Sequence, residues 1–207
     1  MAQPKGFSLL ELVTVMGIFG LLSLVILAIH QQVAAMDRRT SLQQTILRET
    51  RFALEAISNN LRIGTVYYGG WKSSCALSPD AGKPYATRSA LFVIDEDNER
   101  VKYEWKPKAQ CAPESVGGCI IKTFLGSRDN PDNESAILTA PTLDVLGFSA
   151  RIQPLCDPYK DTCANKRQPM VQLTISVAVP QRGGSSRREL QTTVSSRVYR
   201  EIEDVCL

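Results

Sequence analysis

Between Phe7 and Ile29 the chain carries a single charged residue, Glu11. The run is about 23 residues, roughly 35 Å as a helix, which is enough to cross a ~30 Å hydrocarbon core. A secretory signal is cut after its apolar stretch, at small residues. Here the change of character comes before the stretch. A polar leader with one cation, Lys5, ends at Gly6. Cleavage there would release residues 1–6 and retain the membrane helix. Glu11 would then lie five residues into the new N-terminus. A carboxylate inside a membrane helix costs about 2.5–3.5 kcal/mol on insertion scales. It must therefore sit near the headgroups, take up a proton, or find a cation.

The stretch Gly6-Phe7-Ser8-Leu9-Leu10-Glu11, with the apolar run behind it, resembles the prepilin N-terminal motif of type IV pilins and type II secretion pseudopilins. The resemblance covers about 30 residues. It implies that a membrane prepilin peptidase cleaves the Gly6–Phe7 bond and N-methylates Phe7. It also implies an assembly role for Glu11, attracting the N-terminal amine of a neighbouring subunit as a filament is drawn from the bilayer. Pairing of opposite charges in a low dielectric favours that contact. The plainer reading of Glu11 is a tolerated acid that snorkels to the membrane edge.

The six cysteines, Cys75, Cys111, Cys119, Cys156, Cys163 and Cys206, all lie beyond the apolar run, and none falls in a CxxC pair. An even set of this kind predicts a disulfide-bonded domain in an oxidising space, the periplasm or cell exterior. Fifteen pairings are open. Local spacing favours Cys111–Cys119 and Cys156–Cys163, leaving Cys75 and Cys206. The one histidine, His30, sits at the end of the apolar run, so neither a mixed-ligand zinc site nor a histidine general base is expected. No nucleophile motif or phosphate loop is present either. An enzyme is not expected, nor is a cofactor or metal. The net charge of +3 singles out no nucleic-acid partner.

Residues 31–63 contain no proline or glycine. Ile46, Leu47, Ala53, Leu54, Ile57 and Leu61 recur at helical spacing and predict an amphipathic helix with one buried face, stopped at Gly64. Nothing breaks the pattern before it, so one helix over 8–63, about 84 Å long, is expected. The remainder reads as strands at Ala90–Ile94, Arg100–Lys106, Cys119–Leu125, Thr142–Ile152, Met170–Val179 and Glu189–Arg200. Turns are expected at Asp95–Glu99 and, through Gly183-Gly184, at Gln181–Arg188. Strands that follow one another without helices predict a mainly antiparallel sheet. The fold class is α+β. A long N-terminal helix packs on a disulfide-stabilised antiparallel sheet, as in the pilin fold. The strand series is also similar to PilW-type minor pilins and type II secretion J-type pseudopilins. The expected organisation is a leader over 1–6, a transmembrane and assembly half over 7–29, an amphipathic half over 30–64 and a β-rich domain over 65–207.

Other clusters carry weaker signals. Arg128-Asp129-Asn130-Pro131-Asp132-Asn133-Glu134 gathers oxygen ligands, but without EF-hand spacing it reads as a solvated Asn/Pro turn. The acidic turn Asp95–Glu99 reads the same way. Lys166-Arg167, Arg182 and Arg187-Arg188 are placed in loops, with no interleaved aromatics to suggest a nucleic-acid surface. Trp71 reads either as an adhesive aromatic or as packing where helix meets sheet. The functional expectation is a minor pilin or pseudopilin: a single-pass inner-membrane subunit with an external domain. It would initiate or cap a type IV pilus or a type II secretion pseudopilus, with other pilins, prepilin peptidase and the membrane as partners. The alternatives are a pilus-associated adhesin or DNA-uptake module, and an anchored domain that never polymerises.

Overall fold

The computed structural model describes residues 8–71, 87–125, 134–158, 167–181 and 184–196. The chain forms two compact units, residues 1–43 and 44–207. One helix, α1 (Leu9–Ile63), supplies most of the first unit and the opening of the second. Its length follows from the absence of proline, and its two glycines, Gly17 and Gly20, each cost only about 1 kcal/mol. Within the second unit α1 buries Thr50, Ala53, Leu54, Ile57, Ser58 and Leu61; of the predicted stripe Ile46 and Leu47 are only half-buried, and two polar residues join it. Thr50 is tolerated there because its hydroxyl donates to the Ile46 carbonyl at 2.7 Å.

Gly64 ends the helix, and the reason is space. Its amide donates to the Asn60 carbonyl at 2.8 Å. A Cβ at this position would lie 2.2 Å from the Ile94 carbonyl oxygen and 2.7 Å from that of Asn60. Nine strands follow among the described residues: β1 (Thr65–Val66), β2 (Thr87–Arg88), β3 (Ala90–Ile94), β4 (Arg100–Lys106), β5 (Cys119–Leu125), β6 (Ser135–Ile137), β7 (Val145–Gln153), β8 (Met170–Gln181) and β9 (Gly184–Ser195). All their pairings are antiparallel, as expected, but they build two sheets where one was expected. The orders are β1-β3-β4-β5-β6 and β2-β7-β8-β9.

The two sheets are stitched at the start of β7. Trp105 Nε1 donates to the Val145 carbonyl at 2.7 Å, and the Val145 amide donates to the Gly118 carbonyl at 2.9 Å. Asp144 accepts the Gly118 amide on Oδ1 at 3.2 Å and the Ala178 amide on its backbone oxygen at 3.0 Å. Gly118 permits this approach, since a Cβ would stand 2.4 Å from the Val145 oxygen. The Cys111–Cys119 disulfide closes the connection from β4 to β5, as the spacing predicted. The core joins the α1 stripe to Leu91, Val93, Val101, Tyr103 and Ile120 of one sheet and to Phe148, Leu173, Ile175 and Val177 of the other.

Three further expectations change. The predicted turn Gln181–Arg188 is mostly strand: β9 begins at Gly184, so Arg187 and Arg188 sit in a strand and not in a loop. Arg187 is held there by Glu189 at 2.8 Å and by the Ser176 hydroxyl at 2.9 Å. Strands β1, β2 and β6, two or three residues each, were not expected. Strand β7 begins at Val145, later than the predicted Thr142, and carries a register shift between Val145 and Gly147.

Candidate functional site

The first unit contains the apolar run. Every residue over 8–42 is exposed, including Leu9 at 81% and Phe19 at 71%. Folded domains rarely leave such an apolar surface to water. Helix α1 is long and apolar enough to cross a membrane, and none of its most apolar window is buried by protein. Its hydroxyls suit a surrounding without water. Thr14 Oγ1 donates to the Glu11 carbonyl at 2.9 Å, Ser23 Oγ to Phe19 at 2.8 Å and Thr40 Oγ1 to Met36 at 3.1 Å. Thr14 and Ser23, the two of these within the apolar run, are thus satisfied inside the helix, as lipid would require.

Glu11 lies in the first turn of α1 and is exposed. Its amide and that of Leu12 both donate to the Ser8 carbonyl, at 3.0 and 3.2 Å. A carboxylate at this end complements the helix dipole by about 0.3–1 kcal/mol. No hydrogen bond or ion pair among the described residues engages the Glu11 carboxylate. With the nearby hydroxyl of Thr14 used within the helix, that carboxylate is the strongest unsatisfied acceptor of the apolar run. Gly6 and Phe7, the predicted cleavage and methylation positions, lie outside the described residues.

The remaining candidates fall into place as structure. Cys111 and Cys119 are paired. Cys156 is also disulfide-bonded, with its partner outside the described residues, where Cys75, Cys163 and Cys206 all lie. Residues 128–133 of the oxygen-rich loop lie outside too, and Glu134 is exposed. The turn Asp95–Glu99 is organised by its own side chain: Asp95 Oδ1 accepts the amides of Asp97 and Glu99 at 3.2 and 2.9 Å, and Asn98 takes a φ of 65°. Of the basic set, Lys166 and Arg182 are outside the described residues, and Arg167 is exposed. Trp71 is a packing residue. It is buried edge-on against Phe92 with centroids 5.2 Å apart, and its Nε1 donates to the Ala90 carbonyl at 3.1 Å. That removes it as an adhesive surface.

One feature escaped sequence reading. A groove of about 770 Å³ runs between the α1 flank carrying Arg51, Glu55, Ser58 and Arg62 and the Leu190–Thr192 stretch of β9. The available signal was the polar flank beside the stripe, together with β9 as the last strand of its sheet. No protein-family model, curated protein or solved structure matches this chain.

Proposed function

We propose that this chain is a minor pilin or pseudopilin. It would be anchored by α1 in the inner membrane with its β-rich domain outside, and would join other subunits through the same helix. The observation that carries the reading is the uncovered apolar surface over 8–29, with one carboxylate in the first turn of its helix. Lipid covers that surface in the anchored subunit. Helices of neighbouring subunits would replace lipid in a filament, because apolar side chains and internally bonded hydroxyls pack equally well against either. Glu11 then supplies the specific contact, taking the amine freed at Phe7 of a neighbour after cleavage at Gly6. An amine and a carboxylate that meet away from water stabilise each other most when both lose their alternative solvation together. The disulfide at Cys111–Cys119 accords with a domain in an oxidising space.

The test is Glu11→Gln in the full chain, co-produced with partner pilins. The substitution lowers the insertion cost. The expected variant is cleaved after Gly6 and stable in the membrane, yet crosslinks to neighbours several-fold less than wild type. Equal crosslinking would remove the assembly role. A mature protein still starting at Met1 beside active prepilin peptidase would remove the whole reading.

A further inference from the structure

The groove beside β9 is bounded by three kinds of surface. One wall is the Leu190–Thr192 stretch of β9. Strand β9 is the last of its sheet, and no strand pairs with its other edge among the described residues. An unpaired edge presents amides and carbonyls ready for another strand. Charges guard only its first half, through Arg187, Arg188 and Glu189. From Leu190 to Ser195 the edge is uncharged. The second wall is the α1 flank. Arg51 and Arg62 stand there against the single acid Glu55, and no hydrogen bond or ion pair among the described residues engages any of the three. The third element is Phe52, an aromatic 63% exposed at the rim. Helix and strand are fastened at one end of this region, where Ser196 Oγ donates to the Gly64 carbonyl at 2.6 Å.

We propose that this groove receives an extended, acidic segment of a neighbouring subunit, which adds to β9 as a fifth strand of its sheet. The assignment of the partner as a subunit rests on the function proposed above. The chemistry of the segment rests on the groove. Main-chain bonds to the edge require an extended backbone with free amides. Two unpaired guanidiniums opposite one carboxylate select acidic side chains over basic ones. Phe52 gives an apolar side chain at the segment's end a place to bury. An uncharged edge combined with a positively charged facing wall is selective. The wall repels basic strands and leaves acidic ones a paired position.

The probe is a blocked seven-residue peptide alternating glutamate with valine and threonine, compared with its lysine counterpart and with a version carrying proline at alternate positions. Each is added to the full-length chain in detergent micelles, with binding followed by fluorescence and by amide hydrogen exchange. The glutamate peptide is expected to slow exchange of amides in 190–195 and to bind about tenfold tighter than the lysine peptide at low salt. The proline version should bind neither edge nor groove. Arg51→Glu with Arg62→Glu should invert the order of the two charged peptides, and Arg51→Lys with Arg62→Lys should keep it. Slowed exchange away from β9, equal affinity for both charges, or an unchanged order in the reversed variant would each overturn the proposal. The measurement needs no filament, and the Glu11→Gln crosslinking needs no groove, so failure of one is distinguishable from failure of the other.

Discussion

Tyr103 is where helix and sheet exchange a polar contact inside the core. Its hydroxyl accepts from Asn60 Nδ2 at 2.6 Å, and the ring is almost wholly buried. Burial pushes its pKa up from 10.0 to about 12; the Asn60 hydrogen bond opposes the shift and the charge of Asp95 adds to it. The folded-state pKa therefore lies above the unfolded one. The neutral phenol contributes stability in full below pH 10, and that contribution is lost as pH rises from 10 through 12. The loss amounts to about 2–3 kcal/mol. Tyr103→Phe should be destabilised by about 1–2 kcal/mol at neutral pH, because Asn60 loses its partner. The variant should also lose less stability than wild type between pH 10 and 12 in urea titrations. An identical alkaline slope would refute the assignment. Sequence reading placed Tyr103 in its strand but could not find Asn60, since a polar residue beside an apolar stripe looks the same whether it meets water or a phenol. Thr50 and Ser58 were missed for that reason too, and the burial of Thr50 is helped by a local bond to the Ile46 carbonyl that periodicity does not register.

At the scale of elements, the decisive junction is the end of α1 against β3. Gly64→Ala places a methyl group 2.2 Å from the Ile94 oxygen, and backbone on both sides leaves little room to yield. We expect a loss of about 1–3 kcal/mol with an unchanged denaturant slope, read from urea unfolding of the detergent-solubilised chain. A wild-type midpoint would show that the junction opens without strain. Strands β3, β4 and β5 were legible to the residue, because a charged turn and a cysteine-closed loop bound apolar or alternating runs on either side. Strand β9 was misjudged at its start: Arg187 and Arg188 look like a loop, yet an edge strand carries charge to discourage chance pairing. Strands of two or three residues cannot show a period at all. The joining of the two sheets rests on Asp144, Gly118 and Trp105, whose meeting depends on tertiary approach and leaves no local pattern. Of the candidate site, the exposed apolar helix with Glu11 in its first turn was legible. The groove was not, because it lies between elements far apart in sequence.

For the whole molecule, the exposed apolar surface over 8–29 is what a membrane would cover. Leu22→Arg introduces a charge at an exposed position of the run and should cost about 2.5–3.5 kcal/mol of insertion free energy. The expected result is a marked shift from the alkali-resistant membrane fraction to the soluble or aggregated fraction, with the Cys111–Cys119 bond still formed in any exported protein. Undiminished membrane retention would mean that α1 is not the anchor. The clamp between Ser196 and Gly64 has one more implication, a temporal one. The two residues are 132 positions apart, and a ribosome delivers them in that order. The helical stripe of Ala53, Leu54, Ile57 and Leu61 is therefore complete long before β9, whose end helps fasten it. During that interval the stripe lacks its full cover, so newly made chain is most exposed to proteases and to misplaced partners until β9 arrives.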